Sequence, residues 1–322
     1  MSTVLSVENL STFFKTDKGI AKAVENVSFS VNKGEMLGLI GESGCGKTTV
    51  AQSILRLIEY PGKVVSGKVL LNGQDLLKAS ESELYSLRWK EISVIPQSAM
   101  NALNPIYTIG DQIIEAIQLH ENVSKKEATE RTKTMLELVG IDGERWKSYP
   151  HEFSGGMKQR VAIAMALACN PKLVISDEST TGLDVLTQAQ VIALIKDLQR
   201  KLETAVIIIS HDLPMVTAIC DKIAIMYAGK IVEWATTEEI LKNAKHPYSQ
   251  ALLKATPDLA EPDREVISIP GSVPNLINFP NSCRFHTRCP YAFEKCMKEE
   301  PEFKEVKPGH YAACFLEEEE NG

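Results

Sequence analysis

No stretch of this 322-residue chain is apolar for long enough to span a bilayer: the longest purely apolar run, Val161 to Cys169, is far short of the roughly 18 residues a membrane helix requires. The start, Met-Ser-Thr-Val-Leu, lacks a basic segment followed by an apolar one, so no secretory signal is expected. Positive charge is not in excess either. Lys and Arg number 35 against 42 Asp and Glu, a net charge of -7, which argues against nucleic acid or anionic lipid as the main partner. Part of the acidic surplus is the Glu317 to Glu320 run, read as a solvated tail. Fixed-period repeats are missing, and the acidic end is the only low-complexity segment. What remains, 44% hydrophobic and 24% charged residues, is the composition of a folded domain or two. The expectation is a cytosolic protein that meets a membrane only through partners.

Secondary-structure signals alternate along most of the chain. Leu5 to Phe14 and Ala21 to Val31 read as strands around a turn at Thr16 to Gly19, and Met36 to Ile40 as a short apolar strand. Lys47 to Ile58 has helical spacing, and Gly67 to Leu71 and Ile92 to Ile95 read as further strands. Between Gln97 and Ser154 the period becomes helical, with amphipathic segments at Ile109 to Leu119 and Lys125 to Val139, the second capped by Ser124 with Glu127 three residues on. Then follow a helix from Gly155 to about Cys169, strand Lys172 to Ser176, helix Val185 to Leu202, strand Ala205 to Ser210, a short helix near Pro214, strand Lys222 to Met226, and a Gly229 turn into Lys230 to Trp234. Such alternation implies a mainly parallel sheet with helices on its faces. From about Thr256 prolines multiply, and regular elements should be short.

Two segments carry nucleotide chemistry. Gly41-Glu42-Ser43-Gly44-Cys45-Gly46-Lys47-Thr48 fits the phosphate-loop pattern and lies between a strand and a helix, as that motif requires. Its glycines let successive N–H groups approach phosphate oxygens, the helix start at Lys47, Thr48 and Thr49 adds its dipole, Lys47 can neutralise β and γ phosphates, and the Thr48 hydroxyl suits Mg²⁺. Cys45 is read as a small filler, though its place at a helix start could make the thiol reactive. Leu173 to Ser176 reads as a buried strand that delivers Asp177 and Glu178 to the carboxyl edge of the sheet, where open α/β sheets bind ligands. Asp177 suits Mg²⁺ through water, and Glu178 is the candidate general base. Gln97 and His211 end two other strands, where an amide can reach Mg²⁺ and the attacking water and an imidazole can donate to the γ phosphate or Glu178.

The order of phosphate loop, Ser154-Gly155-Gly156-Met157, the Asp177-Glu178 strand and Ser210-His211-Asp212 resembles the ATP-binding-cassette family, over residues 3 to about 235. The resemblance implies an ATPase that works as a sandwiched dimer, in which the Ser154 helix and Asp184 complete the nucleotide site of the opposite subunit. It also implies that Phe14 stacks on adenine, that Gln97 is the glutamine-loop residue, and that His211 is the switch histidine. Met157 stands where Gln is commoner, and Ser179 where Pro usually follows Asp-Glu. The fold expected is α/β: a phosphate-loop cassette with a mainly parallel sheet, an N-terminal antiparallel β region, an inserted α-helical subdomain and an irregular Cys-rich extension. The domains expected are residues 1–255, with the insertion at 98–165, and residues 256–322.

Ala102 to Pro105, Tyr149 to Ser154, His246-Pro247-Tyr248 and Ile269 to Pro274 are similar to the oligopeptide, dipeptide and nickel branch of cassette importers. That branch implies two membrane permeases, a second and non-identical cassette ATPase, an extracytoplasmic solute-binding protein, no nucleic acid, and a peripheral place on the cytoplasmic face of the membrane. Residues Gln97 to Tyr107 would face a permease. Cargo could be peptide, oligosaccharide or nickel. A soluble cassette of DNA repair or translation should bring long heptad coiled coils or a second cassette, neither of which the sequence contains; a nucleotide-locked scaffold should lack Lys47, Asp177, Glu178 or His211. Of seven cysteines, Cys283, Cys289, Cys296 and Cys314 crowd the end, which in a reducing compartment suggests metal more than disulfides. Their spacing is wider than the tight pairs usual for Zn²⁺ and leans toward an iron-sulfur cluster of the [4Fe-4S] type, with Zn²⁺ and plain reduced thiols as alternatives. Some members of the branch carry such a cluster at a similar tail.

Overall fold

The computed structural model describes residues 2–97, 102–255, 268–277 and 279–319. The chain forms two compact units. The first comprises Met1–Leu5, Val31–Met36 and Lys78–Ile208, and the second Ser6–Ser30, Leu37–Leu77 and Ile209–Gly322.

In the first unit, β6 (Ile92–Ile95) and β7 (Leu173–Asp177) run parallel with Ile92 opposite Leu173 and Ile95 opposite Ser176, and β8 (Ala205–Ser210) lies on the other side of β7. Every residue of β7 and β8 is buried, which explains why both read as continuous apolar runs without alternation. Helix α2 (Glu81–Leu87) opens on a full capping box: Ser80 accepts from the Glu83 N–H while Glu83 accepts from the Ser80 N–H. The Ser-x-x-Glu pattern is present in the sequence, but no apolar stripe accompanies it, since Leu84 is the one buried residue of the helix. Helices α3 (Ile109–His120) and α4 (Lys125–Leu138) follow, capped by Thr108 and by the expected Ser124. Two 3₁₀ turns, Gly143–Lys147 and Pro150–Glu152, lead into α5 (Gly155–Leu167), and α6 (Val185–Leu202) begins at Asp184.

In the second unit, β1 (Thr3–Thr16), β2 (Gly19–Asn32), β4 (Gly62–Leu71) and β5 (Gln74–Asp75) form a sheet of order β2-β1-β4-β5. Another sheet section pairs β3 (Met36–Ile40) in parallel with β9 (Lys222–Tyr227), then β10 (Lys230–Thr236), β12 (His310–Ala312) and β11 (Lys304–Lys307) in antiparallel fashion. Ala228 and Gly229, both at positive φ, make the two-residue turn between β9 and β10, a geometry whose twist matches that of the strands it joins. Helices α7 (Leu213–Ile219), α8 (Thr237–Asn243), α9 (Pro247–Lys254), α10 (Glu294–Lys298) and α11 (Leu316–Glu319) complete the unit.

Some expectations shift. Helix α1 (Lys47–Ile54) stops four residues early because Arg56 adopts φ 53, while Leu57 N–H reaches Gln52 and Arg56 N–H reaches Ser53. That is a Schellman end with arginine in the place usually held by glycine, so composition did not announce it. Strand β4 begins at Gly62, five residues before the apolar run that flagged it. Glu317 is not a solvated residue: it is buried and pairs with Lys245 at 3.0 Å. Glu320 lies outside the described residues. Among the described residues, no helix is long and apolar enough to cross a membrane.

Candidate nucleotide site

The phosphate loop lies in the second unit, between the end of β3 and the start of α1. Gly44 has φ +79 with open space where a Cβ would stand, so its backbone is bared to a ligand. At Gly46, with φ +106, a Cβ would fall 2.3 Å from the Ala23 carbonyl oxygen; only glycine fits. Lys47 is buried and its ammonium donates to the carbonyls of Gly41 (2.7 Å) and Glu42 (3.1 Å), which aims the charge into the loop. Cys45 is fully buried with burial raising its thiol pKa, so the reactive reading of that residue gives way to the filler one. Ser43 and Gly44 occupy the tip of the loop, and Thr48 and Thr49 lie in the first turn of α1. Phe14 is half-buried at the end of β1 and lies against Gly62, whose Cβ would meet the Phe14 ring at 2.5 Å; Phe13 instead sits 5.8 Å beneath the Lys22 ammonium. His211 is exposed at the end of β8, ahead of the Asp212 cap of α7.

The first unit carries the carboxylates. Asp177 ends β7 and is buried, and Glu178 follows in a left-handed conformation, φ 43, costly for a side chain with a Cβ and characteristic of functional sites. Gln97, at the end of β6, donates from Nε2 to Glu178 Oε2 at 2.8 Å. Two residues 81 positions apart are brought into contact because β6 and β7 are parallel neighbours that end together.

A second group gathers around the start of α5. Ser154 caps the helix, accepting from Met157 N–H. Asp184 caps α6, accepting from the Thr187 N–H at 3.0 Å and from its hydroxyl at 2.6 Å, and these bonds hold its carboxyl below the usual range. The Thr187 methyl lies 2.8 Å from where a Cβ on Gly156 would be, so the two capped helix starts touch only because residue 156 is glycine. Arg145 braces the approach: it stacks over Phe153 at 4.1 Å, donates to the Glu152 carbonyl at 3.0 Å and reaches Met157 Sδ at 3.8 Å. Beside Asp184, Val185 and Leu186 are 80% and 76% exposed, a large apolar surface for a helix start. Of the Gln97 to Tyr107 segment, residues 98–101 lie outside the described residues; Ile106 and Tyr107 are exposed.

Cys283, Cys289, Cys296 and Cys314 line one small cavity with Phe285 and Phe315. Burial, with a smaller contribution from neighbouring cysteines of the set, pushes the Cys283 thiol up to about 11 and Cys314 up to about 12. Among the described residues, no three His, Cys, Asp or Glu side chains converge tightly enough to hold one metal ion.

Sequence reasoning missed Arg288. Its guanidinium makes a two-pronged pair with Glu42 of the phosphate loop, at 2.6 and 2.9 Å, and Tyr248 OH accepts the Glu42 N–H at 3.0 Å. Tyr248 belonged to a segment singled out by resemblance. A contact across 246 positions between Glu42 and Arg288 leaves no mark in local pattern.

A loop of bared N–H groups with a buried lysine, and a strained glutamate tethered to a glutamine at parallel strand ends, are the working parts of a phosphate-loop NTPase. Comparison with known proteins narrows the class. Residues 24–181 match the ABC transporter family model, and residues 232–296 match the oligopeptide/dipeptide transporter C-terminal region. The chain is 44% identical over 319 residues to the oligopeptide transport ATP-binding protein OppD of Escherichia coli (strain K12), covering 98% of this chain and 94% of that one. It is also 44% identical over 313 residues to the dipeptide transport ATP-binding protein DppD of the same organism, covering 97% and 96%. Among solved structures, the dimeric bacterial ABC transporter cassette MJ0796 superposes with a TM-score of 0.65 at 25% identity, covering 72% of this chain and 98% of that one. The chain therefore belongs to the ATP-binding-cassette transporter family, as an ATP-binding, ATP-hydrolysing subunit.

Proposed function

We propose that this chain powers the uptake of di- or oligopeptides as the ATPase subunit of an importer, bound peripherally at the cytoplasmic face of the membrane. The observation that carries the reading is the pairing, in one chain, of a cassette with a C-terminal region of the oligopeptide/dipeptide type, at 44% identity to peptide-transport ATPases over nearly the whole length. Its domains are residues 1–255, with the helical insertion at 98–165, and residues 256–322; of the second, residues 256–267, 278 and 320–322 lie outside the described residues.

In this reading Gly41 to Thr49 and Lys47 grip the triphosphate while Phe14 stacks on adenine. Mg²⁺ would supply charge neutralisation on the triphosphate. Thr48, Asp177 and Gln97 are the residues that would hold it, hydroxyl, carboxylate and amide oxygens being the hard ligands that Mg²⁺ takes. Glu178 withdraws the proton of the attacking water, its carboxylate oriented by Gln97 Nε2. His211 donates to the γ phosphate. Ser154, Gly155, Gly156, Met157 and Asp184 act on the nucleotide of a second cassette, a role supported by the exposed Val185-Leu186 pair beside them. That second cassette is a non-identical partner. Two permeases receive the motion, exposed Ile106 and Tyr107 being suited to such a contact, and an extracytoplasmic binding protein delivers cargo.

For Cys283, Cys289, Cys296 and Cys314 we propose a [4Fe-4S] cluster, with Zn²⁺ as the alternative; what supports the reading is that the four thiols line one cavity. The test is co-expression with candidate permeases and a solute-binding protein of the same importer type, followed by ATP-driven uptake into vesicles of labelled dipeptide, tetrapeptide, oligosaccharide and nickel, with iron, sulfide and zinc assayed on the same complex. Peptide uptake with about four irons per chain is expected. ATP hydrolysis that drives sugar or nickel but no peptide overturns the cargo, a homodimeric complex overturns the non-identical partner, and zinc without sulfide overturns the cluster.

A further inference from the structure

Glu42, the second residue of the phosphate loop, is fixed at three points. Its carbonyl accepts from Lys47 Nζ at 3.1 Å, inside the loop itself. The other two holds come from the C-terminal part of the chain. Tyr248, the second residue of α9, is fully buried, and its phenolic oxygen accepts the Glu42 N–H at 3.0 Å. Arg288 grips the Glu42 carboxylate with both terminal nitrogens, at 2.6 and 2.9 Å.

Arg288 is itself locked. Its side chain is 3% exposed, its Nε donates to the Pro270 carbonyl at 2.7 Å, Nη2 reaches the Ile269 carbonyl at 3.3 Å, and the guanidinium lies 5.7 Å from the centre of the Tyr227 ring. Tyr248 is wedged between Tyr227 (4.6 Å between ring centres) and Phe285 (5.4 Å). A bidentate arginine–carboxylate pair fixes direction as well as distance, and here it is screened from water on the arginine side. Glu42 is therefore oriented by a rigid aromatic and arginine cluster, of which Phe285 also lines the four-cysteine cavity.

We infer that Arg288 and Tyr248 are positioning residues for the phosphate loop: by fixing the Glu42 peptide they hold the loop N–H groups in phosphate-binding geometry, so the C-terminal region sets the affinity for ATP without touching it. The inference rests on the assignment of Gly41 to Thr48 to the triphosphate. Nothing in local sequence demands this arrangement, since a phosphate loop folds from its own glycines and lysine. The added hold makes nucleotide affinity depend on residues 206 and 246 positions away in sequence.

The test uses the full chain in its assembled complex, with ATP turnover and binding of a fluorescent ATP analogue as readouts. Glu42→Gln removes the charge of the pair and leaves the Arg288 bonds to Pro270 and Ile269 in place; Tyr248→Phe removes one hydroxyl and preserves the ring packing. Each should raise the KM for ATP about tenfold while kcat stays within about twofold, because the loop still closes on ATP but must be ordered on binding. Arg288→Lys, which keeps charge but loses the fork, should fall between wild type and Glu42→Gln. A role in folding alone would lower the melting temperature and the active fraction, and so kcat, at unchanged KM; that result overturns the inference, as does wild-type behaviour of both Glu42→Gln and Tyr248→Phe. Lys47→Ala run in parallel separates the two levels. If it loses ATP binding while the Glu42 and Tyr248 variants keep wild-type KM, only the positioning role fails; if it binds ATP normally, the loop assignment fails first.

Discussion

Replacing Glu178 by glutamine separates chemistry from scaffold. In the native chain Gln97 Nε2 donates to Glu178 Oε2 at 2.8 Å, and a glutamine at 178 can present its carbonyl oxygen to the same donor. What changes is the character of that bond. Net values of about 1.5–3 kcal/mol for a charged acceptor and about 0.5–1.5 for a neutral one make the expected loss of stability about 1 kcal/mol. Removing a carboxylate next to Asp177 relieves like-charge repulsion and offsets part of it. For a chain of this size that corresponds to a fall in melting temperature of about 2 °C. Catalysis should suffer far more, since losing a positioned general base costs about 10²- to 10⁴-fold, or about 3–5 kcal/mol of barrier. With Glu178 in the proposed role of base, affinity for ATP should hold or rise, because the substitution removes one negative charge from the neighbourhood of the triphosphate. The assay is phosphate release in the assembled complex beside equilibrium binding of ATP and a thermal melt. Turnover within a few-fold of wild type, with binding and melting intact, would refute the base assignment. Loss of binding together with a collapse of the melt would make Glu178 a structural residue instead.

Two further outcomes follow from particular contacts. Burial pushes the pKa of His246 down to about 4, against a partial opposing pull from Glu233, and its Nδ1 accepts the Tyr248 N–H at 3.1 Å. In the unfolded chain the imidazole titrates near about 6.5, so between about pH 6.5 and 4 the unfolded state binds the extra proton; stability present above that window falls as pH drops, by about 2 kcal/mol at pH 5 and about 3 in full. Denaturant titrations at pH 7.5 and 5 should show this slope, and His246→Asn, which keeps a capping acceptor, should flatten it; an unchanged slope in the variant removes His246 as its source. Gly156→Ala would place a Cβ 2.8 Å from the Thr187 methyl and displace the Asp184 cap. Turnover of the assembled complex should drop by up to about 10²-fold with ATP binding by the isolated chain unchanged, and Thr187→Ser in the same chain, which removes that methyl and keeps the hydroxyl, should restore it. Failure of the rescue would show that this steric contact is not the cause.

Strand β7 was legible because a strand buried on both faces is largely apolar, here Leu173 to Ile175, and Ser176 leads from that run to the two carboxylates. The cap at Ser154 was legible because a short hydroxyl side chain ahead of two glycines is a local signal. Helix α2 was overlooked although its capping box lies in plain sequence, since only Leu84 of its seven residues is buried and no apolar stripe announces it. The end of α1 escaped because arginine there adopts a conformation that composition assigns to glycine.

The sequence by itself determined the chemistry: which loop can bare its N–H groups to phosphate, which strand delivers Asp177 and Glu178, and which helix starts carry serine or aspartate caps. These depend on neighbours within a few residues, where backbone sterics and hydrogen-bond geometry leave few choices. The tertiary structure alone decided which of these parts touch. Gln97 meets Glu178 across 81 positions, Thr187 fills the space that Gly156 leaves, and Arg288 holds Glu42 across 246, because strand register and core packing bring together groups whose separation along the chain carries no information about their distance in space.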